Sequence, residues 1–312
     1  MSHSPPIIGG TQMPDTISGP THFSAPSAEA DELSAAVAPA LEGHELTLSY
    51  DRHPVVHEAG IELHRGMVTA LVGPNGSGKS TLLRCLARLH APDAGNVALD
   101  PGEGDPIDAL SLHPKQFARN VSLLTQSRPT PGGVRVTDVV TYGRHPYRRR
   151  FGSGDPDGPA VVLRAMELTG VSHMAERPVD ELSGGELQRV WLATCLAQDT
   201  HVLLLDEPTT YLDLRYQVET LDIVRDLAES HGVAVGVVLH DLDQAAAVAD
   251  RVVLLDSGVV RATGVPADVL TGDLLTEIYG LSIDVHVDPS GRVRTYPVGK
   301  HTQRFSQTPD NR

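Results

Sequence analysis

Cysteine is scarce. Cys85 and Cys195 are the only two in 312 residues, too few for a disulfide framework in a chain this long. Both fall in apolar helical patterns and read as buried packing thiols, which suits a reducing cytoplasm. Basic charge is the minority: 25 Lys and Arg stand against 40 Asp and Glu, for a net charge of −15. That balance argues against a general nucleic-acid surface, so no nucleic-acid partner is expected. No apolar run approaches the roughly 18 residues that a membrane-spanning helix needs, so any tie to a membrane must run through a partner. No Lys or Arg precedes Arg52, although a secretory signal needs a basic start and an organelle transit peptide needs arginines. Neither leader is expected. Internal repeats are absent too. Fifteen histidines are present, but none sits in a convincing ligand cluster. His53 and His57 are four apart, yet Pro54 and the short local strands argue against a shared helix face, so no structural metal site is expected.

The length allows one large domain or two small ones, with a real core in either case. Residues 1–40 are rich in Ser, Pro, Ala, Gly and Thr and read as a disordered tail. Residues 41–282 form the main domain, 283–298 a β-hairpin extension around Pro289-Ser290-Gly291, and 299–312 a second polar tail. Within the main domain, short strands are expected at 46–50, 61–63, 67–72, 97–99, 121–124, 201–205, 234–239 and 252–255. Helices are expected over 81–89, 160–168, 186–198, 214–229, 242–249 and 272–279. A further short helix over 136–144 is expected to be capped by Thr137. The helix from Glu186 to Gln198 carries Leu187, Val190, Trp191 and Cys195 along one apolar side. Alternating strands and helices predict a mainly parallel sheet covered on both faces.

Gly73-Pro74-Asn75-Gly76-Ser77-Gly78-Lys79-Ser80-Thr81 matches G-x-x-x-x-G-K-[ST], the phosphate-binding loop also called Walker A. A β-branched apolar strand precedes it and a leucine-spaced helix follows, which is the context the motif requires. Its glycines let successive N–H groups turn inward without Cβ clashes, and the helix start adds partial positive charge. Lys79 is expected to reach the β- and γ-phosphates, and Ser80 to offer its hydroxyl to Mg²⁺. Leu203-Leu204-Leu205-Asp206-Glu207-Pro208 supplies the other half of a nucleotide site. Asp206, at the end of a buried strand, is placed to hold Mg²⁺, usually through water, and Glu207 to act as general base on the attacking water.

Leu182-Ser183-Gly184-Gly185-Glu186 puts Ser-Gly-Gly at a helix start, a second anion-binding helix tip in a chain with one nucleotide cradle. At this stretch the chain resembles the ATP-binding cassette (ABC) ATPases, whose signature is this Ser-Gly-Gly, commonly continued by Gln. Glu186 departs from that pattern, and the phosphate-contacting residues are intact. The resemblance spans roughly Glu45 to Tyr279 and implies a P-loop NTPase α/β fold of the ABC ATPase type. That fold has a mainly parallel sheet, an antiparallel β subdomain and a helical subdomain carrying the signature. It further implies that Tyr50 stacks on adenine, that Gln126 touches Mg²⁺ or water, that Asp213 lies in the D-loop and that His240 contacts the γ-phosphate. Two chains would pair head to tail, so that Ser183, Gly184, Gly185 and Glu186 of one complete the ATP site of the other. Among cassette ATPases, Val140 to Tyr147 is similar to the Gly-Arg-x-Pro stretch of ferric-siderophore, haem and cobalamin importer ATPases, as are Leu239 to Ala245 and Ala197 to Thr200. The resemblance therefore implies an ATPase held by an integral-membrane permease at the cytoplasmic face of the membrane, working indirectly with an extracytoplasmic substrate-binding protein. Ferric siderophores are the expected cargo, with haem, cobalamin or a soluble role in cofactor assembly as alternatives. Residues 126–147 would receive the permease's coupling helices. Arg148-Arg149-Arg150 reads as a solvated charged face, with contact to lipid headgroups or an acidic permease loop as the alternative.

Overall fold

The computed structural model describes residues 38–102, 105–127, 130–148 and 154–299. The tails expected before residue 38 and after residue 299 lie outside the described residues, as do Arg149 and Arg150.

Strands β1 (Leu41–Tyr50) and β2 (His53–Leu63) pair as an antiparallel hairpin. Both run longer than the stretches their alternation marks. Left-handed φ at Glu45 and Glu58 and register shifts inside the pair break the period of two, so pattern reading catches only one part of each. β3 (Val68–Val72) leads through the phosphate-binding loop into α1 (Lys79–Leu86). This helix stops one turn before the leucine spacing does: Arg88 takes φ 59° and Leu89 is exposed. β4 (Ala94–Leu99) and β5 (Ile107–Asp108) complete a four-stranded antiparallel sheet in the order β2-β1-β4-β5.

After α2 (Pro114–Phe117) and β6 (Val121–Leu124), the chain enters a helical region. It comprises α3 (Val136–Thr141), a 3-10 segment Tyr142–Tyr147, α4 (Gly158–Leu168) and α5 (Gly184–Ala197). Thr137 does not cap α3. The N-cap is Arg135 without a side-chain bond, and the amides of Val136 and Thr137 donate to the carbonyls of Arg177 and Ala175. A neighbouring loop thus satisfies donors that sequence alone assigns to a local hydroxyl.

The chain returns through β7 (Val202–Asp206), α6 (Leu214–His231), β8 (Ala234–Val238), α7 (Leu242–Val248), β9 (Arg251–Asp256) and β10 (Val259–Gly264). These strands join β3 and β6 in a six-stranded sheet, β10-β9-β3-β8-β7-β6, parallel except for β10. Two short helices follow, α8 (Pro266–Val269) and α9 (Gly272–Tyr279), before the hairpin β11 (Ile283–Val287) and β12 (Val293–Pro297). The hairpin docks on α7: the Thr295 amide and hydroxyl both donate to Asp243 Oδ1, at 2.8 and 2.9 Å.

The core explains why the central strands read as unbroken apolar runs. Every residue of β7 is buried; Leu203 and Leu205 face one cluster with α6 and α7, while Val202 and Leu204 face another with α1 and the antiparallel sheet. A third cluster fills the helical region. Helix α5 serves two of them. Leu192 and Cys195 pack into the central core, Val190, Ala193 and Ala197 into the helical one, and Trp191 touches both. The single apolar side expected for this helix is therefore two, which fixes its direction relative to the sheet. Both cysteines are free and buried, and burial pushes the Cys85 thiol up to about 11.

Candidate nucleotide-binding site

The phosphate-binding loop leaves the C-terminal end of a buried parallel strand, where ligands of open α/β sheets collect. Gly73 takes φ 142° and Gly78 φ 102°. A Cβ at Gly73 would lie 2.0 Å from the Leu255 carbonyl oxygen, and one at Gly78 would lie 2.9 Å from Val56 Cγ2. Neither position admits another residue. Pro74 and Ser77 close the turn, Ser77 N–H donating to the Pro74 carbonyl, while Asn75 and Gly76 sit exposed at the tip. Ser80 and Thr81 belong to the first turn of α1.

Lys79 is 5% exposed, and its ammonium donates to the carbonyls of Gly73 and Pro74, both at 2.8 Å. Burial holds its pKa below the ordinary lysine value, opposed by the negative charges of Glu207 and Asp206. A buried cation beside two carboxylates is poised to meet further negative charge.

Asp206 ends β7 and is buried; its Oδ1 accepts the Ser80 hydroxyl at 2.7 Å. Its Oδ2 has no hydrogen-bond partner, and the Arg84 guanidinium stands 3.6 Å away. A buried carboxylate oxygen left unbonded beside a serine hydroxyl is an oxygen donor set that fits a hard divalent cation.

The next residue, Glu207, turns sharply into left-handed φ of 55° and sends its carboxylate into a cage of donors. Gln126 Nε2 donates to Oε2 at 2.6 Å, the Thr210 hydroxyl to the same oxygen at 3.2 Å, and His240 Nε2 lies 2.5 Å from Oε1. Gln126 comes from the loop after β6 and His240 from the loop after β8. Three strand ends of one parallel sheet thus converge on one carboxylate.

Ser183 caps α5. Its Oγ accepts the Glu186 amide, and Glu186 Oε2 accepts the Ser183 amide and hydroxyl, both at 2.8 Å, completing a capping box. Those bonds, first the amide and then the hydroxyl, hold the Glu186 carboxyl below its usual range, with Arg177 adding to them. Gly184 faces open space, whereas a Cβ at Gly185 would lie 2.5 Å from the Tyr216 ring. Among the described residues, no hydrogen bond or ion pair joins Ser183–Glu186 to the phosphate-binding loop. Asp213 caps α6, accepting the Tyr216 amide at 3.1 Å.

Tyr50, at the end of β1, is 43% exposed and lies against His90 with ring centroids 4.6 Å apart. A place in the strand core is excluded for it. His90, Arg84 and Thr210 escape a sequence reading. Only Arg84 left a signal, one helical turn beyond Ser80.

Residues 56–210 match the family model described as ABC transporter. The ferric enterobactin transport ATP-binding protein FepC of Escherichia coli (strain K12) is 40% identical over 261 residues, covering 83% of this chain and 94% of its own length. The cobalamin import ATP-binding protein BtuD of Halobacterium salinarum (strain ATCC 29341 / DSM 671 / R1) is 42% identical over 255 residues, 81% of this chain and 62% of its own. Among solved structures, one provisionally described as a metal-chelate type ABC transporter, in an inward-facing conformation, superposes with a TM-score of 0.72 at 26% identity. It covers 84% of this chain and 99% of that one.

Proposed function

The chain belongs to the ABC transporter ATP-binding family and is an ATPase of its importer branch; from that premise we propose that it drives uptake of ferric siderophores through a separate permease. The observation that carries the chemistry is the cage around Glu207, which holds a carboxylate beside the buried lysine of the phosphate-binding loop.

ATP is the substrate. Its phosphates replace the loop carbonyls as partners of Lys79, while Gly76 and Gly78 would offer backbone N–H groups and Tyr50 a ring face to the base. Mg²⁺ would be held by Ser80, Asp206 and Gln126, and would neutralise charge on the phosphate oxygens. Glu207 would take the proton of the attacking water, and His240 would contact the γ-phosphate as charge develops there. Ser183, Gly184, Gly185 and Glu186 make no hydrogen bond or ion pair with their own chain's loop among the described residues, which supports their completing the site of a second copy in a head-to-tail homodimer, with Asp213 at its seam. In this reading 41–282 is the cassette and 283–298 an added hairpin.

Coupling to transport requires a face for the permease. An apolar groove of about 690 Å³ between α3 and α4, lined by Thr137, Thr141, Val162, Leu163 and Met166, supports that assignment. No described helix is long and apolar enough to cross a membrane; the permease would hold the chain at the cytoplasmic face. An extracytoplasmic binding protein would deliver cargo without touching this chain. Cobalamin is an alternative cargo, in line with the halobacterial cobalamin import relative, and haem is another.

Glu207→Gln tests the chemistry. It is expected to lower turnover by about 10²-fold or more while retaining ATP and trapping a dimer; normal turnover would remove Glu207 as the base. Purification of the chain from membranes tests the transport assignment. A retained multi-span partner supports it, and purely cytosolic partners favour a role in cofactor assembly.

A further inference from the structure

The turn Glu207–Leu212 joins β7 to α6 and carries the base at one end and the D-loop at the other. It holds two non-glycine residues in left-handed backbone, Glu207 at φ 55° and Tyr211 at φ 64°. Such conformations persist only where the surroundings over-determine them. Here the surroundings are three glutamine side chains from three helices. Gln188 of α5 donates to the Pro208 carbonyl at 2.6 Å. Gln217 of α6 donates to the Leu212 carbonyl at 3.0 Å. Gln244 of α7 accepts the Thr209 hydroxyl at 3.0 Å and donates to Gln217 Oε1 at 2.9 Å.

The last pair matters most. Helix α7 begins two residues after His240 and is capped by Asp241, whose Oδ1 accepts the Gln244 amide at 3.0 Å. A closed circuit results: His240 to Glu207, Glu207 to Thr210 in the turn, Thr209 to Gln244, and Gln244 back to the loop of His240. Gln217 ties the far end of the turn to the same point. A carboxamide suits 217 and 244, because each side chain accepts on one arm and donates on the other. A carboxylate lacks the donor, and an ammonium lacks the acceptor.

We propose that Gln217 and Gln244 are positioning residues that lock the Glu207–Leu212 turn to the helix carrying His240, so that the D-loop's placement sets the aim of the base. The proposal rests on Glu207 being that base. The clamp acts on the hydrolytic step and not on the grip of nucleotide, since neither side chain reaches the phosphate-binding loop.

The experiment uses the full-length chain with Gln217→Leu, Gln244→Leu, the double variant and Gln244→Glu, reading kcat, KM for ATP and thermal midpoint. Each single Leu variant is expected to lose at least tenfold in kcat, with KM within twofold and the midpoint nearly unmoved. The double variant should lose no more than the worse single, because the two act as one unit. Gln244→Glu keeps size and acceptor, and should lose kcat as well, since Gln217 must then turn its donor away from Leu212. A kcat within twofold of the parent in Gln244→Leu and Gln244→Glu overturns the clamp. So do losses that multiply in the double variant, or a fall in kcat matched by a falling midpoint and a rising KM. Failure of the base itself reads out separately, as turnover by Glu207→Gln.

Discussion

His240 Nε2 lies 2.5 Å from Glu207 Oε1, although the two residues leave different strands of the sheet. The contact crosses from the end of β8 to the end of β7 and leaves the other carboxylate oxygen to Gln126 and Thr210. An imidazole so placed steers the carboxylate, and in the proposed function it would also meet the γ-phosphate. His240→Ala is therefore expected to reduce turnover by about 10²-fold while ATP affinity changes little. Steady-state rates beside equilibrium nucleotide titration check this.

The two signature glycines differ in what they touch, so their variants should separate folding from function. Gly185→Ala drives a methyl into the Tyr216 ring and is expected to cost about 1–3 kcal/mol of stability. Gly184→Ala meets open space within the helix and should leave stability unchanged or slightly raised. If Gly184 faces the partner's γ-phosphate, that same variant loses the ATP-induced dimer, which size-exclusion chromatography of the Glu207→Gln protein reads directly.

Glu186, where the family commonly has Gln, makes the capping box sensitive to acid. Its folded pKa is lowered, so its contribution is complete above the unfolded carboxyl value and fades as pH falls through the folded one. Glu186→Gln keeps a neutral box without that titration. The thermal midpoint of the variant should lie below the parent's near neutrality, where the ionised carboxylate contributes, and the gap should close as pH falls through the folded pKa of Glu186.

Arg144, from the Gly-Arg-x-Pro stretch, is buried and grips Asp155 through Nε at 2.7 Å and a terminal nitrogen at 3.1 Å. It also donates to the Ala197 carbonyl at 3.0 Å and stacks 3.8 Å over the Tyr147 ring. The motif is thus a latch inside the helical region. Arg144→Leu strands the Asp155 charge and is expected to cost about 3 kcal/mol. Denaturant unfolding measures it, and a loss below 1 kcal/mol would deny the latch.

Which parts were legible follows from the range of the forces involved. Lys79, Ser80, Asp206 and Ser183 announce themselves because each sits in a local pattern whose chemistry needs only its own neighbours: a glycine loop between strand and helix, a strand end, a helix tip. Thr137 misled for the same reason. A threonine at a helix start is a good local cap, but carbonyls from Ala175 and Arg177 had already taken the work. The end of α1 misled too, because leucine spacing continues past the point where Arg88 breaks the helix.

The one-dimensional string by itself determined the alternation of strands and helices, the loop that cradles phosphate, and the order in which the motifs appear, since all of these are set by backbone preference and side-chain period over a few residues. Tertiary structure alone decided that Gln126, Thr210 and His240 meet on one carboxylate, that α5 divides its faces between two cores, and that Gln217 and Gln244 share a hydrogen bond. Those contacts join residues from 3 to 81 positions apart. Most exist because parallel strands, laid side by side, bring their C-terminal ends to a single edge whatever length of chain lies between them.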